Sequence, residues 1–270
     1  HFTGGEPLLR PGKLFELLNA VEPYHDGSIG LATNGFWGGS SAEAKKMVGD
    51  LLRGGVDGIS LSIDVFHQQT VPFEAVRNAA LAISAEGMSD RCWLITSLLP
   101  DDQKDAEGLN HKSLEMVAEI SGETGIPVAK PEVRSIGRGS EIAKTEESGI
   151  PMGPCRDLAC CLGETGPFNP RMVWIDPPGN VLICYGISIG AILKDSLQYV
   201  LDTYNPRLDP ILSRLADRGP FGLYEFATEL GRLTPGGDYR DECDLCFHSR
   251  RALQSQFPDT LRPAVSYPDS

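Results

Sequence analysis

Short β-rich runs that alternate with amphipathic segments constrain the fold of this chain more than any other feature. The runs are GSIGLATNG (27–35), VDGISLSID (56–64), RCWLITSLL (91–99) and IPVAKPEVR (126–134), each bounded by Gly, Asp or Pro. They recur about every 30 to 35 residues. Because strands that alternate with helices are joined by crossover connections, this pattern predicts an α/β fold with a parallel sheet.

The segments between these runs carry apolar residues at helical spacing. The predicted core faces are Leu14, Leu17, Leu18 and Val21; Met47, Val48, Leu51 and Leu52; Phe73, Val76, Ala80 and Ile83; and Leu114, Val117 and Ala118. A Ser40-x-x-Glu43 capping box precedes the second helix, and Gly87 and Gly122 follow near the ends of the third and fourth. With 270 residues and 41% apolar content, the chain can bury a sizeable core.

Polar and glycine residues stand at the ends of these runs, where α/β folds bind their ligands. They are Thr3-Gly4-Gly5-Glu6, Thr33-Asn34-Gly35, Ser62 and Asp64 with His67, and the segment from Arg134 to Arg138. A Gly-Gly pair lets the backbone approach a ligand closely, and the following glutamate is suited to an ammonium group rather than to phosphate. Ser62 and Asp64 share one side of a strand and could hold two hydroxyls of a ribose.

Each of these features also has a structural interpretation. Gly-Gly can be a tight turn, Glu6 an exposed charge at a helix start, and Ser62-x-Asp64 an N-cap. Asn34, His67 and Arg138 fit a turn, a loop and a surface position at least as well as a ligand site.

The seven cysteines, in a chain with no secretory signal, favour metal binding over disulfides. Cys92, beside Trp93 in a predicted strand, is interpreted as a buried small apolar residue, and the other six fall in the last 116 residues. MVWID and VLICY predict two strands joined by a Pro-Pro-Gly-Asn hairpin, with Cys184 ending the second and Cys243-x-x-Cys246 farther on. Clustered thiolates suit iron–sulfur or zinc.

The charge and hydropathy of the chain limit the classes of partner that it is expected to bind. The net charge of −13 and the pI near 4.8 argue against nucleic acid or an anionic membrane. No run approaches the about 18 apolar residues of a membrane span, and the first residues of the sequence do not show a basic region followed by an apolar run. A soluble, cytoplasmic protein with a small or weakly charged substrate, or a neutral or basic peptide, is expected.

Together, FTGGEPLL, the run ending TNG and the run ending SID resemble the radical S-adenosylmethionine (radical SAM) family over roughly residues 1 to 140. The resemblance implies a partial (β/α)6 barrel whose second strand is closed by the GGEP turn. It also implies that Gly4, Gly5 and Glu6 hold the amino group of S-adenosylmethionine, and that Ser62 and Asp64 lie beside its ribose and carboxylate. By the same resemblance, the sequence around Gly137-Arg138 is expected to line the sixth strand, and Asn34 and Arg138 are further candidates for cofactor binding.

The family places a Cys-x-x-x-Cys-x-x-Cys loop, which holds the cofactor-binding [4Fe-4S] cluster, after the first strand. This chain has no such loop, so the resemblance implies an N-terminally incomplete barrel, lacking the first strand and most of the second. The chain as given is expected to be inactive. The expected domains are a barrel over 1–150 and a small cysteine-rich α+β domain over 151–270.

The second domain resembles the SPASM/twitch auxiliary-cluster modules, in the shorter twitch form with one auxiliary [4Fe-4S] cluster. The predicted ligands are Cys161, Cys184, Cys243 and Cys246, with Cys160 as a substitute for Cys161 and Cys155 as a fifth candidate. A structural zinc site from the same cysteines is the chemical alternative.

The function implied is that of a radical SAM oxidoreductase or maturase. Its 5′-deoxyadenosyl radical would abstract hydrogen from a peptide or small-molecule substrate, with electrons from a donor such as ferredoxin or flavodoxin. Two alternatives are a non-catalytic zinc- or cluster-binding α/β protein and a barrel lyase or aldolase. The second requires a Schiff-base lysine or a carboxylate metal site at strand ends, and Lys130 is the strand-end lysine found.

Overall fold

The computed structural model describes residues 1–103, 105–136, 139, 149–150 and 172–267. The chain divides into two compact units, His1–Val133 and Arg134–Ser270. The first contains a four-stranded parallel sheet and the second a three-stranded antiparallel sheet, so the predicted α/β class is confirmed.

In the first unit, helices and strands alternate along the chain. The helices are α1 (Pro11–Val21), α2 (Ser41–Arg53), α3 (Phe73–Ala85) and α4 (Ala106–Thr124), and the strands are β1 (Gly30–Thr33), β2 (Gly58–Ser62), β3 (Trp93–Ile95) and β4 (Val128–Ala129). Short 3-10 turns cover Pro7–Leu9, Glu22–Tyr24, His67–Gln69 and Ser89–Arg91. Each strand lies inside one of the four predicted runs, in the parallel order β1-β2-β3-β4.

Phe2 extends this sheet on the far side of β1. Its N–H donates to the Gly30 carbonyl and its carbonyl accepts from the Ala32 N–H, both at 2.8 Å, in a parallel bridge. The Gly-Gly turn therefore follows a strand-like segment, and it lies at the same edge of the sheet as the carboxyl ends of β1 and β2.

The two faces of the parallel sheet differ in burial. Leu31, Ile59, Leu61 and Leu94 are at most 1% exposed and belong to the core formed with the helices. The alternate residues, Ala32, Ser60, Ser62 and Ile95, are half-buried. When both faces of a parallel sheet are covered, its strands are apolar at almost every position. The alternation seen here therefore indicates that the second face is lined by small and polar side chains.

Two predicted helix faces need correction. Leu17 is 53% exposed, because the buried stripe of α1 is narrow and runs through Leu14 and Leu18. Ala118 is exposed on α4, whose buried stripe instead passes through Ser113, Val117, Ile120 and Thr124. Thr124 can be buried because its hydroxyl donates to the Ile120 carbonyl at 2.7 Å.

The described part of the second unit combines the predicted hairpin with three helices. Its strands are β5 (Trp174–Ile175), β6 (Asn180–Cys184) and β7 (Ile187–Ala191), in the order β5-β6-β7, and its helices are α5 (Leu197–Thr203), α6 (Pro210–Glu229) and α7 (Glu242–Leu253). Further 3-10 turns cover Pro206–Leu208 and Ala264–Ser266. The backbone breaks inside α6 at Gly219, where φ is 63°. The sequence did not indicate β7 or the helical state of Cys243 and Cys246.

The core of the second unit joins the end of β6 to α6 and α7. Ile183, Leu223, Phe247, Leu253 and Leu261 are at most 1% exposed within it. The cysteines of β6 and α7 are therefore carried by elements that share one core. No helix in the described part of the chain has both the length and the apolar character needed to cross a membrane.

Candidate functional site

The turn at Gly4 and Gly5 requires glycine for its backbone conformation. The φ angles are 84° and 59°, in the left-handed region that other residues rarely adopt. A Cβ built at either position would meet no described atom within 4 Å. Both glycines are exposed. Their backbone groups are accordingly open to a ligand.

Glu6 connects this turn to the end of β1. Its Oε1 accepts from the Leu8 N–H at 3.1 Å and the Thr33 hydroxyl at 2.8 Å, and its Oε2 accepts from the Asn34 N–H at 2.7 Å. A carboxylate offers about four acceptor positions, so protein donors take most of them. Glu6 fixes the position of the glycine turn, and Oε2 keeps room for one further donor.

Asn34 makes a local turn in the structure. Its Oδ1 accepts from the Phe36 N–H at 3.1 Å, which is the Asx-turn arrangement. The Thr33 hydroxyl supports the same turn, because it also accepts from the Trp37 indole N–H at 3.0 Å. The turn interpretation of Asn34 thus matches its contacts.

Asp64 is buried at the end of β2 and accepts four hydrogen bonds. Oδ1 accepts from the Phe66 and His67 N–H groups at 3.0 Å and lies 2.9 Å from Nδ1 of His67, while Oδ2 accepts from the Ser97 N–H at 3.2 Å. The side chain is 1% exposed. Asp64 is thus occupied by protein donors, whereas Ser62, two residues earlier, is half-buried on the small-residue face of the sheet.

The contacts between Asp64 and His67 shift the pKa of each side chain toward its charged form. Burial raises the pKa of Asp64, but hydrogen bonds and charge from His67 outweigh it, and the pKa lies below the ordinary 3.8. The hydrogen bond to Asp64 raises the pKa of His67 above the ordinary 6.5 against the effect of burial, and the charges of Asp64 and Glu6 add to the increase. An imidazolium is favoured beside the glycine turn.

The sequence left His67 open between a loop residue and part of a ligand site. In the structure its ring is 40% exposed, and Nε2 has no hydrogen-bond partner within the described ranges. The signal that could have found it is the Asp-x-x-His spacing after a strand, since an aspartate capping a short turn can reach the third residue on.

The second group of candidates lies in the second unit. Cys184 ends β6, and Cys243 and Cys246 lie in the first two turns of α7, whose N-cap is Asp241. A helix N-terminus favours thiolates. Cys155, Cys160, Cys161 and Arg138 lie outside the described residues.

Within the part of the chain that the structure describes, no three His, Cys, Asp or Glu side chains are grouped closely enough to hold a metal ion. The structure therefore does not bring the predicted ligands Cys184, Cys243 and Cys246 together as three donors to one metal, and the other three predicted cysteines lie outside the described part. Cys184 and Cys246 both act electrostatically on the buried Arg250 and Tyr267, so the two thiols share one neighbourhood. Cys92 is 1% exposed and its sulfur accepts from the Ile59 N–H, in keeping with a buried apolar residue.

Comparison with known proteins gives one curated relative. A segment of 77 residues is 34% identical to the "Putative peptide biosynthesis protein YydG" of Bacillus subtilis (strain 168), a match that covers 28% of this chain and 24% of that protein. The match thus spans about a quarter of the length of the relative. No protein-family model matches the chain.

Proposed function

We propose that this chain is part of a radical SAM enzyme that modifies a peptide, with S-adenosylmethionine bound at the carboxyl edge of the parallel sheet. The observation that carries the proposal is the convergence at this edge of the glycine turn, Glu6 and the pair of Asp64 and His67. The 77-residue similarity to a protein named for peptide biosynthesis supports the same kind of function.

The residues at this edge fit a zwitterionic nucleoside ligand. The exposed backbone of Gly4 and Gly5, with the remaining acceptor position of Glu6, would receive an ammonium group. The imidazolium of His67 would hold a carboxylate. Ser62, on the small-residue face, would donate to or accept from a ribose hydroxyl.

Asp64 has a different role in this proposal from the one that the sequence suggested. Its oxygens are occupied and it is inaccessible, so it would orient His67 and keep the ring charged rather than touch the ribose. Glu6 similarly positions the glycine turn through Thr33 and Asn34. In both cases a carboxylate positions the neighbouring group that would meet the ligand.

When bound, S-adenosylmethionine and its iron–sulfur cluster supply a radical that removes a hydrogen atom from the substrate. This chain's residues would bind and orient the ligand and exclude water around it. The negative charge of the chain favours a neutral or basic peptide. An electron donor such as ferredoxin or flavodoxin would be the redox partner.

An auxiliary [4Fe-4S] cluster is proposed for the second unit. Cys184, Cys243 and Cys246 would supply three thiolates, with a fourth from Cys161, Cys160 or Cys155, and a bound cluster would have to draw the three described thiols closer together than they stand in the structure. Cysteine thiolates are the ligands of iron–sulfur groups, and Cys243 and Cys246 lie near a helix N-terminus, which favours the thiolate form. They also fit zinc, so metal analysis decides between the two.

The test is metal and sulfide analysis of the complete protein after anaerobic purification. Iron with acid-labile sulfide is expected in the wild type, and Cys184→Ser and Cys246→Ser are expected to lower both. Cys92→Ala is the matched control, because Cys92 is a buried cysteine in the first unit and its loss is expected to leave the iron content unchanged. Zinc without iron or sulfide would contradict the cluster.

A further inference from the structure

The second unit contains a cavity of about 400 Å³ that is lined neither by the sheet-edge residues nor by the cysteines. It lies between β7, α5, the start of α6 and the segment around Arg262. Its apolar lining includes Ile189, Val200 and Leu212. This volume is in the range of sites for small molecules, so the cavity can hold a small ligand.

Arg262 lines this cavity with a donor that the described part of the chain leaves unsatisfied. Its Nε is buried and has no hydrogen-bond partner among the described residues. No described carboxylate forms an ion pair with its guanidinium. A buried donor without an acceptor destabilises a fold, and the forked N–H groups of arginine match the two oxygens of a carboxylate. The unsatisfied donor therefore indicates a ligand that carries a carboxylate.

The backbone next to Arg262 is held by both β7 and α6. The Thr260 carbonyl accepts from the Ser188 N–H at 2.8 Å. The Thr260 hydroxyl donates to Asp209, which is the N-cap of α6. Thr260 is buried, and it lies two residues before Arg262. A ligand would therefore meet a guanidinium on a fixed segment, which lowers the entropy lost on binding.

Asp209 lines the same cavity, but its carboxylate is already bound by protein donors. Oδ1 accepts from the Ile211 N–H at 2.8 Å and the Leu212 N–H at 2.9 Å, and Oδ2 accepts from the Thr260 hydroxyl. Burial and the charge of Asp209 raise the pKa of Tyr204, so this lining phenol stays protonated. The negative charge of Asp209 is thus offset by four groups of α6 and its surroundings rather than left to repel a ligand.

The other charged side chains of the lining are at exposed positions. They are Lys194, Asp195 and Asp259, whereas Arg262 is half-buried. Solvent screens the exposed charges, so Arg262 has the strongest effect on a carboxylate inside the cavity. Asp195 and Asp259 can meet an ammonium group of the same ligand where it has one.

We propose that this cavity binds a small carboxylate ligand, with the carboxylate on Arg262 and an apolar side chain against Ile189, Val200 and Leu212. A free apolar amino acid and the carboxyl-terminal residue of a peptide both have this chemistry. The inference goes beyond the proposed radical chemistry, because it uses neither the residues at the edge of the parallel sheet nor the cysteines.

The test measures binding of three probes to the complete protein by isothermal titration calorimetry. N-acetyl-L-leucine and N-acetyl-L-leucinamide differ only in the carboxylate, and L-leucine adds an ammonium group. The proteins are the wild type, Arg262→Gln and Arg207→Gln. Arg207 is the matched control, because its loss removes the same charge from the same unit, its side chain is 65% exposed, and it does not line the cavity.

The wild type is expected to bind N-acetyl-L-leucine at least about tenfold more tightly than the amide, since hydrogen bonds to a charged group are lost with the carboxylate. Arg262→Gln should abolish most of this preference, and Arg207→Gln should keep it. Tighter binding of L-leucine than of N-acetyl-L-leucine would assign the site to a free amino acid. Equal or weaker binding would assign it to the end of a peptide.

Thermal unfolding separates a ligand-binding arginine from a structural one. Without ligand, Arg262→Gln is expected to unfold at no lower temperature than the wild type, because no described residue loses a hydrogen bond to Arg262. N-acetyl-L-leucine should raise the unfolding temperature of the wild type and of Arg207→Gln, but not that of Arg262→Gln. Arg262→Lys, which keeps the charge, should retain part of the preference for the acid.

Four results would overturn the proposal. They are no binding of either acid by the wild type, equal binding of acid and amide, an unchanged preference in Arg262→Gln, and a large loss of stability in unliganded Arg262→Gln. The last result would show that Arg262 serves the fold instead.

Discussion

Nδ1 of His67 lies 2.9 Å from Oδ1 of the buried Asp64, at the edge of the parallel sheet where the glycine turn stands. The pair is separated by one short turn, and Asp64 also accepts from the N–H of Ser97, 33 residues away. A local contact and a distant one thus fix the same carboxylate, and through it the imidazole.

The pair predicts a pH-dependent contribution to stability. The raised pKa of His67 means that its contribution is full below about 6.5 and is lost as the pH rises through the higher, folded-state pKa. The lowered pKa of Asp64 means that its contribution is present above 3.8 and is lost as the pH falls through the lower, folded-state pKa. The wild type should therefore exceed His67→Gln in free energy of unfolding by the largest amount between pH 3.8 and pH 6.5, the two ordinary pKa values.

The expected difference is at most about 1 kcal/mol, because the imidazole is partly exposed and solvent screens the pair. Urea unfolding of both proteins at pH 5.5 and pH 9 measures it. A difference that grows at pH 9 would show that the ion pair does not stabilise the fold.

The sequence placed Asp64 and Ser62 in the same role, but substituting them by alanine is expected to change the stability of the fold by different amounts. Asp64→Ala leaves the N–H groups of Phe66, His67 and Ser97 without their acceptor and should cost roughly 3 kcal/mol. Ser62→Ala should change stability by less than about 0.5 kcal/mol, since Ser62 is half-buried on the sheet's small-residue face. Chemical unfolding tests both values, and equal losses would contradict the assignment.

Glu6 is expected to act on the ligand mainly through the backbone. Glu6→Ala removes the acceptor for Leu8, Thr33 and Asn34, so it should lower stability by roughly 1 to 2 kcal/mol and weaken S-adenosylmethionine binding about tenfold. Glu6→Gln keeps one acceptor oxygen and should fall between the alanine variant and the wild type.

The iron content of the second unit is the internal control for this pair of variants. Glu6 lies in the first unit, so neither substitution is expected to change the amount of iron bound by the cysteines of the second unit. Loss of ligand binding and of that iron together would mean that Glu6 supports the fold as a whole.

The order of strands and helices could be predicted because it depends on local apolar patterning, and the structure confirms it in the first unit and in the hairpin of the second. The turn at Gly4 and Gly5 was also predictable, since only glycine adopts those φ angles readily. The exposure of Leu17 was not, because a residue at the edge of an apolar stripe is buried only if a neighbour reaches it.

The roles of Glu6 and Asp64 depend on contacts that no short motif contains. Glu6 meets Asn34 across 28 residues, and Asp64 meets Ser97 across 33. A carboxylate at a strand end can face a ligand or cap a neighbouring strand, and the choice is made by distant backbone N–H groups. Sequence reasoning therefore located these residues or their surroundings better than it assigned their partners.

Equilibrium binding of S-adenosylmethionine to the complete, anaerobically purified protein tests the central claim most directly, with Gly4→Ala and Gly87→Ala as a matched pair. Both glycines have positive φ, 84° and 69°, and neither has a described atom within 4 Å of an added Cβ, so the two substitutions should strain the backbone alike. The account predicts wild-type binding, at least tenfold weaker binding in Gly4→Ala, and unchanged affinity in Gly87→Ala. No binding by the wild type, or equal affinity in all three proteins, would contradict it.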